Sequence, residues 1–280
     1  MKNFCLGLAA EGLQIPVGQA IDMIAEVGFD STFFGYTDSP LLFENAEHAV
    51  KKGLTVTSLH APFHKIDRMW YAGEEGDELL RRQLACVDAC CALSVPIAVV
   101  HPWIGFDNLD MQPTEIGLSR FRQLADRAEE AGVRIAFENV EGEALLRGLL
   151  NAFSSHPAVG FCLDAGHELC YNRGRDLLAE FGDRLIYTHL NSNMGVTSPD
   201  GSIFWHDDSH MLPYDGLVDM DGLAVRLKKC GYRGPLTLEL TRGNKGDRHT
   251  NDQYLAMTDE DYLANAFEHL CRLKDAIIQA

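Results

Sequence analysis

The sequence lacks three features that would place the protein in large functional classes. No apolar run approaches the ~20 residues of a membrane-spanning helix. Basic residues are few: 24 Lys and Arg stand against 41 Asp and Glu, and the formal net charge of −17 disfavours long-range attraction of nucleic acid. The eight cysteines include no Cys-x-x-Cys pair, so we expect reduced thiols in a cytoplasmic protein rather than a disulfide framework.

The chain also lacks a low-complexity tract, a linker rich in Pro, Gly or Ser, and a Gly-rich phosphate loop. Residues 1–5 are typical of a strand that begins directly, not of a signal peptide. A length of 280 residues suits one (β/α)8 barrel, which typically has about 250 residues. We therefore expect a single domain over residues 1–280.

The chain does contain a regular alternation of strand-like and helix-like segments. Runs rich in Val, Ile, Leu, Phe and Thr predict strands at 3–8, 31–35, 54–60, 96–101, 133–138, 158–164, 184–190 and 235–240. Amphipathic periodicity predicts helices at 17–27, 42–52, 76–94, 114–131, 144–154, 174–181, 219–230 and 259–278. Eight such units predict an α/β protein of the (β/α)8 TIM barrel type.

Acidic and imidazole side chains stand where the later strands end. In chain order they are His60, His101, Glu138, Asp164, His189 and Glu239. The carboxyl ends of barrel strands share one mouth, so these side chains are expected to converge there. Buried carboxylates that converge repel one another unless a cation lies between them. The mixed N and O set Glu138, Asp164, His189 and Glu239 suits a divalent ion, Zn²⁺ or Mn²⁺ first and Co²⁺ or Fe²⁺ as alternatives.

Strand alternation supports this placement. If Glu138 points into the barrel, so does Ala136, while Ile135 and Phe137 face the helices. The strands that lead to Asp164 and Glu239 follow the same rule. A small residue lies beneath each acid, as expected for a wet pocket above a narrow barrel core.

Further polar residues surround these strand ends. His60, His101 and His167 could orient a substrate hydroxyl, form hydrogen bonds to the metal ligands, or bind additional metal ions. His64, His156 and His249 have no such context, and we expect them to be surface or loop residues.

Two connections, 60–77 and 191–219, are longer than plain turns and are expected to line the mouth. Together with the turn after the fourth strand they carry aromatic residues, namely Trp70, Tyr71, Trp103, Phe204 and Trp205. Such rings either stack on a sugar-like substrate or pack the loops onto the barrel, and both interpretations are open. We predict that 191–219 covers the mouth and brings Asp208 and His210 to the site, with Trp205 packed on the rim. The alternative is a solvated loop without a role.

Taken in order, these motifs resemble the xylose isomerase-like TIM barrels, which include sugar and sugar phosphate isomerases and epimerases, inosose dehydratase and endonuclease IV. The resemblance covers nearly the whole chain and rests on residues 58–62, 137–139, 163–167, 187–191, 208–210, 213–216 and 238–239. It implies one divalent ion held by Glu138, Asp164, His189 and Glu239. It also implies that the two glutamates move a proton and that His167 contacts a substrate oxygen.

The endonuclease IV branch of this superfamily implies a different centre. It adds five ligands for three zinc ions, and the resemblance places them on His60, His101, His167, Asp208 and His210. The loop at 61–63 departs from the polar, tyrosine-bearing loop that endonuclease IV uses beside damaged DNA. The negative net charge also disfavours a DNA substrate.

The leading interpretation is a metal-dependent isomerase or epimerase of a sugar or sugar phosphate. Glu138 and Glu239 would remove and return a proton through an enediolate that the metal stabilises. The substrate-binding candidates are His60, His101, Asn191, Trp103 and Trp205. A phosphate group would need a cation, and the candidates near the mouth are Arg68, Arg242, Lys245 and Arg248. A hydrolase of phosphate esters with two or three zinc ions and a lyase similar to inosose dehydratase stay open, as does a homo-oligomer.

Overall fold

In the computed structural model, which describes residues 4–280, eight parallel strands form one sheet. The strands are β1 Leu6–Ala9, β2 Ser31–Gly35, β3 Thr55–His60, β4 Ile97–Val100, β5 Arg134–Glu138, β6 Val159–Asp164, β7 Leu185–His189 and β8 Leu236–Leu238. Their order is β7-β6-β5-β4-β3-β2-β1-β8. The two ends of the sheet meet where Leu190 N donates to Thr237 O at 2.8 Å and Glu239 N donates to Leu190 O at 3.3 Å. The nearly closed barrel confirms the predicted TIM barrel fold.

Helices connect the strands and cover the outside of the barrel. They are α1 Val17–Val27, α2 Leu41–Lys51, α3 Glu74–Leu93, α4 Glu115–Ala131, α5 Glu143–Ala152, α6 Ala165–Cys170, α7 Leu177–Phe181, α8 Met220–Lys229, α9 Asp252–Leu255 and α10 Asp259–Gln279. The predicted strands and helices are all present, with ends shifted by no more than three residues. The short helices α6 and α9 were not predicted. The expectation for residues 1–3 lies outside the described residues.

The core has two layers, as strand alternation predicts. A small cluster fills the barrel interior and consists of Ile97, Val99, Ala136, Cys162 and Tyr187. Ile135 and Phe137 lie in the larger cluster between the strands and the helices. Tyr187 Oη lies 2.7 Å from Thr57 Oγ1, so the interior beneath the mouth is closed by a hydrogen-bonded phenol.

The first long connection is packed against the barrel. Trp70 is 1% exposed, and its Nε1 donates to Pro102 O at 2.6 Å. Arg120 of α4 donates to Met69 O at 3.0 Å and to Tyr71 O at 2.6 Å. Trp70 therefore holds the loop down and does not face a substrate, which decides between its two interpretations.

The cysteines and the apolar character of the helices can be compared with the sequence expectations. All eight cysteines are free thiols. Within residues 4–280, no helix combines the length and the apolar character needed to cross a bilayer.

Candidate metal centre and active site

The strand-end residues converge at the mouth of the barrel. Glu138, Asp164 and His189 end β5, β6 and β7, and Glu239 follows β8 directly. These four residues present ligand atoms that all lie within 4.8 Å of one another. The first three side chains are fully buried, whereas that of Glu239 is 22% exposed. Glu239 is thus the member of this group that a bound molecule can reach most directly.

Glu138 is at the centre of the cluster. Its Oε1 lies 3.1 Å from His189 Nδ1, and its Oε2 lies 3.3 Å from Nε2 of both His60 and His101. The two Nε2 atoms are 3.2 Å apart. His60 Nδ1 donates to Ala61 O at 2.9 Å, which leaves Nε2 of the neutral ring as an acceptor. Acceptor atoms at these distances repel unless a proton or a cation lies between them.

The donor set therefore fits a metal ion. Glu138 Oε2, which faces the Nε2 atoms of His60 and His101, is buried without a hydrogen-bond partner among the described residues. Buried polar atoms are usually satisfied, so such an atom inside a ring of ligands indicates a binding role. Imidazole and carboxylate together suit Zn²⁺, Mn²⁺, Co²⁺ or Fe²⁺. Besides the group of four, His60, His101 and Glu138 also bring ligand atoms within 4.8 Å of one another.

Asp164 is oriented by its neighbours. Its backbone N donates to Asn139 Oδ1 at 2.7 Å, and its Oδ1 accepts from His167 N at 2.7 Å, so that Asp164 caps α6. Its Oδ2 accepts from Asn191 Nδ2 at 2.8 Å. A Cβ atom at residue 166 would lie 1.9 Å from Asn191 Oδ1, which explains Gly166. Asn191, expected to contact substrate, is fully buried and directs its amide at Asp164.

The second long connection folds over the mouth, as predicted. An antiparallel bridge between Ser192 and Met211 closes residues 193–210 into a loop. Asp208 Oδ2 lies 2.6 Å from His210 Nε2 and 3.2 Å from His167 Nε2. His210 Nδ1 donates to Glu239 O at 2.9 Å. Asp208 and His210 thus lie beside the strand-end cluster, not in solvent.

The charges of the cluster stabilise one another. Burial would raise the pKa of Glu138, but His189 and the other facing imidazoles hold that pKa well below its usual range. Burial would lower the pKa of His189, yet Glu239 and Glu138 raise it to about 9. Burial raises the pKa of Asp164 to about 6. The carboxylates are therefore mostly ionised at neutral pH, the form that binds cations, whereas His189 must release a proton to become a ligand.

A cavity of about 290 Å³ opens above the cluster. Its walls include the apolar or aromatic side chains Phe63, Ile104, Phe106, Tyr171 and Trp205. Its polar residues are His60, His101, Glu141, His167, Asp208, His210, Glu239 and Lys245. Trp205 lies at the rim with 53% of its surface exposed, so it is placed to meet a ligand and does not anchor the loop by burial.

Trp103, expected to contact substrate, lies outside the cavity wall. It is 3% exposed, and its Nε1 donates to Gly105 O at 2.8 Å. A Cβ atom at residue 142 would lie 2.8 Å from the indole, so the ring packs beneath the turn at Gly142. The side chain is absent from the cavity wall because it holds the turn after β4 against the one after β5.

The sequence interpretation missed two acidic residues near the mouth. Glu11, which follows β1, accepts from Gly35 N at 2.8 Å and borders a second cavity of about 370 Å³. The two cavities share His60, Phe63, His210 and Glu239. Glu141 accepts from Gly105 N at 2.7 Å. A search for acidic residues at strand ends that included the first strand as well as the later ones would have found Glu11.

Lys245 is the one proposed phosphate-binding cation that lines the 290 Å³ cavity. Arg242 pairs with Asp259, Arg68 with Asp67 and Glu75, and Arg248 lies 3.8 Å from Asp207.

Of the histidines expected to be without a role, His64 borders the second cavity. His156 lies 3.1 Å from Asp126, and His249 lies 3.2 Å from Asp252.

The sequence profile of the xylose isomerase-like TIM barrel family matches residues 21–272. The chain belongs to this family.

It is 29% identical over 218 residues to the uncharacterised protein y4fM of Sinorhizobium fredii, a match that spans 74% of this chain and 63% of that protein. It is 23% identical over 247 residues to a 3-dehydroshikimate dehydratase of Pseudomonas putida, spanning 83% of this chain and 37% of the dehydratase. A probable endonuclease 4 of Heliobacterium modesticaldum is 27% identical over 162 residues, or 52% of this chain and 56% of that protein. The chain thus spans less than two thirds of each of these curated relatives.

Solved structures of family members share the fold. The IolI protein with a bound zinc atom superposes with a TM-score of 0.72 at 19% identity, covering 98% of each chain. D-Allulose 3-epimerase from Methylomonas sp. superposes with a TM-score of 0.69 at 19% identity, covering 97% of this chain and 98% of the other. At this identity the superposition shows the common barrel. The relatives named here include an epimerase, a dehydratase and a probable endonuclease.

Proposed function

We propose that the protein is a metal-dependent isomerase or epimerase of a small hydroxycarbonyl compound, such as a sugar or polyol-derived ketone. The observation that carries this proposal is the pair of glutamates at the mouth. Glu138 and Glu239 lie 3.1 and 3.3 Å from the same atom, His189 Nδ1, although they come from β5 and the end of β8. Two carboxylates that flank one position can remove a proton from a carbon and return it.

The four strand-end residues are proposed to hold one divalent ion, through Glu138, Asp164, His189 and Glu239. When bound, the ion supplies a positive charge that polarises a carbonyl and acidifies the adjacent C–H bond. Glu239 reaches the cavity and is the proposed base. Glu138 is buried among imidazoles and ionised, and it is proposed as the second proton carrier, which returns a proton to the substrate after receiving one from an imidazole that faces it. His167, with its Nε2 toward the cavity wall at Asp208, is proposed to orient a substrate oxygen.

The size and the walls of the cavity constrain the substrate. A volume of about 290 Å³ is at the small end of the range for ligand pockets, which favours a compact molecule. Phe106 and Trp205 line the cavity, and aromatic rings can stack on the apolar faces of sugars or cyclic ketones. His60 and His101 also line the cavity. Lys245 offers one positive charge to an anionic substituent.

Hydrogen exchange between solvent and a panel of candidate substrates tests this proposal. We expect metal-loaded protein in D₂O to introduce deuterium at the carbon beside the carbonyl of at least one compound in a panel of ketoses and cyclic hydroxyketones. Mass spectrometry detects the label, and loss of water from the product identifies a lyase, the reaction class of the dehydratase relative. Cleavage of phosphate esters without any exchange across the panel would contradict the isomerase proposal.

A second candidate, hydrolysis of phosphate esters by a centre with several zinc ions, is favoured by one observation. His60 and His101 direct both Nε2 atoms at Glu138 Oε2, a geometry that suits a second ion beside the group of four. The endonuclease relative supports the same candidate.

We expect no incision of duplex DNA that carries an abasic site, and no binding to it at physiological salt. A net charge of −17 opposes the phosphate contacts that such binding needs. The measurement is a gel assay with zinc-loaded protein over a range of salt concentrations. Efficient incision would replace the isomerase by the hydrolase as the leading candidate.

A further inference from the structure

We infer that the ammonium group of Lys245 is a built-in cation of this centre, which takes the place of a divalent ion beside Asp208. This inference rests on the proposed metal centre and defines its composition. The resemblance to endonuclease IV places additional zinc ligands on His167, Asp208 and His210, among others. In this chain, Lys245 Nζ lies 2.8 Å from Asp208 Oδ2, the oxygen that faces both imidazoles.

Three nitrogen atoms surround that single oxygen. His210 Nε2 lies 2.6 Å, Lys245 Nζ 2.8 Å and His167 Nε2 3.2 Å from Asp208 Oδ2. Asp208 is 3% exposed, so its charge requires a nearby positive partner. His210, Lys245 and His167 hold the pKa of Asp208 well below its usual range against the effect of burial.

Without the lysine, the same residues would form a zinc site. His167 Nδ1 donates to Asn139 O at 2.9 Å and His210 Nδ1 donates to Glu239 O at 2.9 Å. Backbone carbonyls that accept from Nδ1 fix the tautomer whose Nε2 binds metal. Ligand atoms of Asp164, His167 and His210 also lie within 4.8 Å of one another. Two imidazoles and a carboxylate are a common zinc ligand set.

The position of Lys245 is fixed by its own segment. Asn251 is fully buried. Its Nδ2 donates to Thr241 O at 2.7 Å and to Gly243 O at 3.1 Å, and both of these residues precede Lys245 in the chain. The same Nδ2 donates to Ser209 O at 2.9 Å, between Asp208 and His210. One amide therefore ties the lysine segment to the loop that carries Asp208. The backbone next to the lysine is thereby fixed relative to Asp208, which keeps the ammonium within reach of that carboxylate.

The consequence is a limit on the number of ions. An ammonium and a divalent ion that contact the same carboxylate oxygen repel strongly in a buried site. The centre then has room for an ion in the group of four and for one at His60, His101 and Glu138, but not for a third. Lys245 also lines the cavity, where its remaining N–H groups can donate to a substrate oxygen.

Metal stoichiometry tests this inference independently of activity. Wild-type protein, Lys245→Met and Lys245→Arg are saturated with zinc, freed of excess metal and analysed for zinc per chain by mass spectrometry. We expect no more than two ions in the wild type, the same number in Lys245→Arg, and one more in Lys245→Met. Crystals of Lys245→Met should show a new anomalous peak between His167, Asp208 and His210.

Two results would overturn the inference: a third ion in the wild type, or no gain in folded Lys245→Met. Should Lys245→Met fail to fold, an anomalous map of the zinc-loaded wild type decides alone, because a peak within bonding distance of Asp208 contradicts the inference and Lys245 Nζ there supports it. The proposed function fails separately if the wild type binds no ion. In that case a gain of one ion in Lys245→Met would still support the inference about Lys245.

Discussion

Replacement of Glu239 by glutamine is expected to lower kcat by at least ~10² while leaving the fold intact, because glutamine keeps the shape of the side chain but cannot accept a proton. The side chain is 22% exposed, so it can reach a substrate, and its Oε2 lies 3.3 Å from His189 Nδ1. The rate is measured on the compound that wild-type protein labels in D₂O. Circular dichroism and thermal unfolding verify the fold.

A matched control separates a local effect from a general one. Glu75 lies in the first turn of α3, with a 61% exposed side chain that pairs with Lys65. Glu75→Gln makes the same chemical change on the surface and should retain the rate of the wild type. If Glu239→Gln also retained that rate, Glu239 would not be the base, and the proposed catalytic pair would be wrong.

Replacement of Asp164 by asparagine is expected to lower the affinity for the strand-end ion by at least ~10². Loss of a residue that only hydrogen-bonds to a metal ligand typically lowers metal affinity about 10–100-fold, and loss of a ligand itself should cost at least as much. Asparagine is also a good N-cap, so α6 should keep its hydrogen bond to His167 N. The change removes the charge and retains the local structure. Competition against a chromogenic chelator measures the affinity.

The control for this prediction is another aspartate that caps a helix. Asp219 caps α8, where its Oδ1 accepts from Gly222 N at 2.9 Å, and it lies outside the cluster. Asp219→Asn should leave metal affinity unchanged. Equal affinities of Asp164→Asn and wild-type protein would show that Asp164 is not a ligand, and the group of four would have to be redefined.

The barrel and the positions of the strand-end acids were predictable because both depend on local sequence. Apolar runs, helix periodicity and the residue after each run are all visible along the chain. The period of two within β5 correctly assigned Ala136 to the interior and Phe137 to the helix side. The six-residue helix α6 was missed because it is too short to show periodicity and begins directly at the end of β6.

The sequence could not place side chains whose surroundings depend on distant neighbours. Trp103 was expected to meet a substrate, but the turn at Gly142 covers its ring. Asn191 was expected to do the same, but its amide is directed at Asp164. The pairing of Lys245 with Asp208 joins residues 37 positions apart. Such contacts are decided by the packing of loops, which no local pattern records.

The most direct test of the central claim is anomalous diffraction from crystals of protein purified without added metal. We predict a peak coordinated by Glu138, Asp164, His189 and Glu239, with ligand distances near ~2.0–2.3 Å. An X-ray fluorescence scan of the same crystal identifies the element. A metal bound elsewhere, with these four side chains too far apart to share an ion, would contradict the claim that the strand ends form a metal centre.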